Sequence, residues 1–130
     1  MWQDFKDYIL SEVDSENATV AEIAVGKFKN VAEALEETGK ITVIKTDINP
    51  DDESIIKDDI TNPNLDLYKD VSLIYSIRPP SELQPYIIDL ATRLKVPLII
   101  KPLFNEDINS KKFKMKLKNY KKASFYILGE

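Results

Sequence analysis

Val20-Ala21-Glu22-Ile23-Ala24-Val25-Gly26 is a short apolar run that stops at a glycine, and no other stretch constrains the chain as much. A nearly continuous apolar run of this length suits a strand buried on both faces, which requires a layer on each side of a sheet. After Gly26, residues Phe28, Val31, Ala32 and Leu35 fall at i, i+3, i+4 and i+7, the spacing of one helix face, and Gly39 supplies a stop. Ile41-Thr42-Val43-Ile44-Lys45-Thr46-Asp47 then reads as a second strand, ending in an acid 21 residues beyond Gly26. A strand, a glycine turn, a helix and an acid-terminated strand are how a chain cradles a nucleoside, with the acid accepting the ribose hydroxyls.

The remaining pattern extends this alternation. Trp2, Phe5, Ile9 and Val13 share a helical face, so residues 1–18 are expected as an N-terminal helical segment packed on a single domain spanning 1–130. Ser54 to Lys57 predicts a short third strand ending at Asp58-Asp59, Leu65 to Asp70 a helical turn, and Val71 to Ile77 a strand halted by Arg78-Pro79-Pro80. Ser81 and Gln84 have the spacing of a capping box before the stripe Leu83, Tyr86, Ile87, Leu90, Ala91 and Leu94, with Pro85 in the first turns. Pro97 to Ile100 reads as a buried strand ending at Lys101-Pro102. In the tail, Phe113, Met115 and Leu117 alternate with Lys114, Lys116 and Lys118, and Ala123 to Leu128 follows as the second arm of a C-terminal hairpin. The expected class is therefore α/β and Rossmann-like, a mostly parallel sheet with helices on both faces.

Composition removes several chemistries. With neither cysteine nor histidine in 130 residues, thiolate nucleophiles, the usual structural zinc sites and imidazole bases are excluded. No metal site is expected, and the Asp51-Asp52-Glu53 run reads as a solvated loop rather than a carboxylate ligand set. The apolar runs are strand-sized and Trp2 to Glu16 carries frequent charge, so neither a membrane span nor a secretory signal is expected and the reading is cytoplasmic. The last 20 residues hold seven lysines and one acid, which leaves 11 cations and 21 acids in the first 110. This asymmetry raises a nucleic-acid contact, but lysines turned outward to protect an edge strand explain it more simply.

Glu22-Ile23-Ala24-Val25-Gly26 resembles the acid-x-Gly-x-Gly motif of class I S-adenosylmethionine-dependent methyltransferases, with Asp47 where their ribose-binding acid ends strand two. Asp59 resembles the adenine-holding residue after strand three, and the closing hairpin resembles their last two strands. The phrases Ser76-Ile77-Arg78-Pro79-Pro80-Ser81-Glu82-Leu83-Gln84 and Asp58-Asp59-Ile60-Thr61 are similar to those of a small uncharacterised archaeal family with this Rossmann-like fold. The resemblance implies a methyltransferase-type sheet and S-adenosylmethionine as ligand, bound by Glu22, Ala24, Gly26, Asp47, Ile48, Asp59, Ile60 and Ser76. The chain departs from the motif at Ala24, which replaces the first glycine, and at Phe28, which stands at the third. No residue is identified as catalytic, and methyl transfer stays open. Residues 103 to 111 are short for a parallel helical crossover, which leaves the pairing of the hairpin open.

Two expectations rest on the residues alone. Glu22 lies within an apolar strand and should have a partner, as a support for the cofactor loop or as half of a structural ion pair. Lys27, Arg78 and Lys101 each follow the carboxyl end of an expected parallel strand, the rim where open α/β sheets bind ligands, and are grouped as an anion site. The alternatives are a dinucleotide (NAD or NADP) module, weakened by Lys29 at its third glycine position, and a non-enzymatic, RNA-associated adaptor that has lost the cofactor.

Overall fold

The computed structural model describes residues 2–13, 16–102 and 115–129. In chain order its elements are α1 (Trp2–Glu12), β1 (Ala18–Ile23), α2 (Asn30–Glu37), β2 (Ile41–Asp47), β3 (Ile56–Lys57), β4 (Leu73–Ile77), α3 (Gln84–Leu94), β5 (Leu98–Lys101), β6 (Lys116–Tyr120) and β7 (Ala123–Leu128), with 3-10 turns at Leu65–Tyr68 and Ser81–Leu83. The strands form one sheet in the order β3-β2-β1-β4-β5-β7-β6. β1 to β5 are mutually parallel, and β7 runs antiparallel between β5 and β6.

Strand alternation sorts the core into two layers, which explains why β1, β4 and β5 are apolar on both faces. Val20, Val43, Leu73, Tyr75 and Phe125 meet Phe5, Tyr8 and Ile9 of α1 and Val31, Ala32 and Leu35 of α2. On the opposite face, Ala21, Ile74, Leu98 and Ile100 meet Tyr68 and the α3 residues Ile87, Ile88, Leu90 and Ala91. Each such aliphatic side chain contributes about 1.5–3 kcal/mol when fully buried. The α1 layer is the more aromatic: the Phe5 ring lies 5.3 Å from Phe125 and 6.1 Å from Tyr75.

Several expected boundaries move, for local reasons. β1 occupies Ala18–Ile23 rather than Val20 to Val25, because pairing of Ala18 with Ile41 extends it backwards and a φ of +57° at Ala24 ends it. α2 starts at Asn30, so Phe28 belongs to the preceding loop, where it packs on Trp2 with ring centroids 4.9 Å apart. The capping box is not formed. Ser81 is drawn into a 3-10 turn closed by Leu83 N–H onto the Pro80 carbonyl, and the residue at the N-cap of α3 is Leu83, which has no side-chain acceptor.

The lysine strand also differs from expectation. β6 is an edge strand, but Lys118 stands opposite Phe125 and its ammonium lies 5.9 Å from the Tyr8 ring, on the α1 side. Lys116, Leu117 and Asn119 are exposed, Leu117 at 55%. The aliphatic stem of a lysine covers an aromatic ring while its charge stays wet, so Lys118 is half-buried whereas Lys116 is exposed as expected. Phe113, Lys114 and the 103–111 connection lie outside the described residues. No helix among the described residues is long and apolar enough to cross a membrane.

Candidate functional site

The strand order reverses direction between β1 and β4, because the chain leaves β1 towards β2 on one side and returns to β4 on the other. Helices of the two layers diverge at such a switch point and leave a crevice at the carboxyl ends of the strands. A cavity of about 550 Å³ lies there, lined by Ile23 to Phe28 after β1, Thr46 to Ile48 at the end of β2, Asp58 to Ile60 after β3, and Ile77, Arg78, Pro80 and Leu83 beyond β4.

The wall on the β1–β2 side is built by backbone geometry. Gly26 has φ +61°, a conformation glycine adopts freely, and no atom stands within 4 Å of where a Cβ would sit. Its amide donates to Asp47 Oδ2 at 2.8 Å, and the Asn49 amide donates to Oδ1 at 2.9 Å. A third bond, Val25 N–H to the Thr46 carbonyl at 3.2 Å, continues the strand pairing into the loop. Ala24 also has a positive φ, at a cost a glycine would avoid.

On the β3 side, Asp59 Oδ1 accepts the Thr61 hydroxyl at 2.7 Å and the Thr61 amide at 3.0 Å, and these bonds hold its carboxyl below the usual range. Asp58 accepts the Tyr68 hydroxyl at 2.7 Å and the Asn64 amide at 3.0 Å. The same Tyr68 oxygen lies 3.1 Å from the Thr46 hydroxyl, and burial pushes its pKa well up. The apolar floor comes from Ile60, 8% exposed, and Ile48, 49% exposed.

Ala24, Gly26, Asp47, Ile48, Asp59 and Ile60 therefore meet at one cavity, together with Lys27 and Arg78. Glu22, Ser76 and Lys101 do not line it. The Ser76 hydroxyl is fully buried and donates to the Ile23 carbonyl at 2.6 Å, clamping the end of β1 to β4 from within. Lys101 Nζ donates to the Ser124 carbonyl at 2.6 Å, so the expected cluster of three cations is reduced at the cavity to two. Burial, and then the charge of Arg78, lower the Lys101 pKa.

Glu22 shows why the expectation of a partner fails. It faces the α2 layer, fully buried, with Lys45 beside it on β2 and Tyr75 beside it on β4. Lys45 pairs instead with Glu36 of α2 at 3.5 Å, and no hydrogen bond reaches either Glu22 oxygen or the Tyr75 hydroxyl. Burial pushes the Glu22 carboxyl up to about 8, the adjacent Tyr75 hydroxyl and the Lys45 charge drawing it only partly back. A buried carboxyl without a bonded counterion is neutralised by a proton instead.

Residues 2–130 match the family described as Uncharacterised protein family (UPF0146). The chain belongs to that family. It is 39% identical over 126 residues to a UPF0146 protein of Methanothermobacter thermautotrophicus, which covers 97% of this chain and 93% of the relative. A UPF0146 protein of Archaeoglobus fulgidus is 35% identical over 126 residues (94% and 90%), and one of Pyrococcus horikoshii 40% identical over 117 (82% and 85%).

Around the cavity of this UPF0146 chain stand contacts that the sequence did not reveal. Tyr68 reaches Asp58 from the far side of the β3 loop, and Trp2 and Phe28 meet beside Arg78, whose guanidinium lies 5.3 Å and 5.7 Å from their ring centroids. Trp2 was visible only as a member of an apolar helix face and Phe28 as that and as a departure from the glycine motif; nothing local shows that α1 starts next to the loop after β1. Lys29, just before α2, pairs with both Asp51 and Asp52 and ties the β2–β3 loop to the helix. The result is an apolar-floored cavity with carboxylates on its β2–β3 side and cations on its β1–β4 side.

Proposed function

We propose that this chain binds a nucleoside-type small molecule, S-adenosylmethionine or a relative, in the cavity at the carboxyl edge of the sheet. The observation that carries the reading is the state of Asp47. An ionised carboxylate offers about four acceptor positions, and the Gly26 and Asn49 amides use one on each oxygen. About two are left, one per oxygen, which suits the paired hydroxyls of a ribose. The two amides also fix the carboxylate plane, so the ligand meets a preorganised acceptor. The volume falls in the range of small-molecule sites, and Ile48 and Ile60 offer apolar surface for a base.

The strand order supports a methyltransferase-type reading of the sheet, since β6 falls at the edge and β7 antiparallel between it and β5. With S-adenosylmethionine as the ligand, the reaction class would be methyl transfer. A dinucleotide is the competing ligand, favoured by the cations Lys27 and Arg78 and opposed by Lys29, which stands at the third glycine position of the dinucleotide motif. Thermal denaturation with S-adenosylmethionine, S-adenosylhomocysteine, NAD, NADP and a short RNA separates the readings. A ligand at about 100 times its Kd adds about 2.7 kcal/mol of stability. Stabilisation by the two adenosyl compounds is the expected result; stabilisation by NAD or RNA alone overturns it.

A further inference from the structure

We infer that Arg78 is the anchor for an anionic oxygen group, a carboxylate or phosphate, at the β4 end of the cavity. The inference deepens the proposed nucleoside site and rests on it for the identity of the ligand, but not for the chemistry of the anion. Arg78 lies just beyond β4 with φ +54°, a strained conformation for a side chain of this size, closed by its own N–H on the Lys101 carbonyl at 2.6 Å. That bond to β5 holds the residue at the rim against the strain. Its guanidinium lies over the Trp2 and Phe28 rings. No hydrogen bond or ion pair among the described residues uses its side-chain N–H groups, and the planar fork of a guanidinium is what binds a carboxylate or phosphate bidentately.

The charge around it is unbalanced. The ion pairs among the described residues use Lys29, Lys45 and Arg93, and none reaches Arg78 or Lys27. Lys101, next to Arg78, is already depressed by that neighbour's charge. The carboxylates of the cavity stand on its other side, with Asp47, Asp58 and Asp59 each held by backbone amides. A ligand matching both ends places hydroxyls at Asp47 and an anion at Arg78. That anion is either the ligand's own acidic tail or a separate molecule.

The test compares wild type, Arg78→Gln, Arg78→Lys and the distant control Lys116→Gln. By calorimetry, S-adenosylhomocysteine carries the amino-acid carboxylate and 5′-methylthioadenosine lacks it. If the anion is the ligand's own, wild type prefers the former at least tenfold and Arg78→Gln loses the preference. If it is separate, inorganic phosphate raises the wild-type melting temperature or tightens methylthioadenosine binding, and Arg78→Gln abolishes the effect. In both arms Arg78→Lys keeps part of the effect and Lys116→Gln all of it. The inference is overturned if the preference and the phosphate effect are absent from wild type, survive Arg78→Gln, or are lost equally in Lys116→Gln. A protein that binds no nucleoside, yet shows a phosphate shift dependent on Arg78, would overturn the nucleoside reading and leave the anion site standing.

Discussion

The Gly26 amide and the Asp47 carboxylate meet at 2.8 Å across 21 residues of chain, joining the turn after β1 to the end of β2. The bond explains a spacing that would otherwise be only a pattern. A helix of the length of α2 returns the chain to the sheet beside β1, and the acid that ends β2 then faces the donor that ends the turn. It also makes Asp47 part of the scaffold as well as the proposed ligand acceptor.

Asp47→Ala is therefore expected to weaken nucleoside binding by about 1.5–3 kcal/mol, the scale of hydrogen bonds to a charged group, and to lower stability as the Gly26 and Asn49 amides lose their acceptor. Titration calorimetry checks the first effect and urea denaturation the second. Asp47→Asn keeps a single carbonyl oxygen and should fall between the two. Unchanged affinity for every nucleoside tested would remove the ribose assignment.

Ala24 and Gly26 should respond in opposite directions. Gly26→Ala places a Cβ in open space but at φ +61°, so its cost is conformational, about 1–2 kcal/mol. Ala24→Gly relieves a φ of +57°, offset by the greater freedom of glycine in the unfolded chain, for a net gain below about 1 kcal/mol. Urea midpoints of the two variants give the signs directly; equal signs would show that packing, not backbone conformation, governs the loop.

Glu22 makes stability depend on pH. Its carboxyl is raised from 4.5 to about 8 in the fold, so between those values the native state holds a proton that the unfolded chain releases. Stability should fall as pH rises through that window, by at most about 1.4 kcal/mol per pH unit. Lys45, Tyr75 and Glu36 are the ionisable neighbours in this layer, and burial raises the Tyr75 hydroxyl well above its usual value, so it stays protonated across the window. Glu22→Gln should flatten the profile, with its largest gain above pH 8. Parallel profiles for wild type and variant would place the proton elsewhere.

Leu117 leaves a large apolar side chain 55% exposed on an edge strand. Leu117→Lys should reduce concentration-dependent self-association, followed by light scattering, without changing nucleoside affinity, because β6 is far along the sheet from the switch point. Association that persists in the variant would show that this edge is not the contact.

The sequence by itself determined the elements whose signal is local. Strands buried on both faces are nearly continuous apolar runs, helix faces repeat at 3.6 residues, and a glycine followed by an acid at fixed distance marks the turn and strand end that need them. Gly26, Asp47, Asp59 and Ile60 were legible on those grounds or through the family resemblance they carry. The tertiary structure alone decided the rest. Strand boundaries followed pairing, as Ala18 shows by joining β1 opposite Ile41. The partial cover of Lys118 in β6 followed the Tyr8 ring, which belongs to a helix more than a hundred residues earlier. Glu22 and Ser76 stayed out of the cavity because side chains alternate across a strand while the cavity lies at its end, and Lys101 because a β7 carbonyl was within its reach. Arg78 gained its aromatic support from Trp2 and Phe28, residues that only folding brings together. Periodicity and spacing report which way a residue faces along its own element, whereas a site depends on which elements arrive beside it.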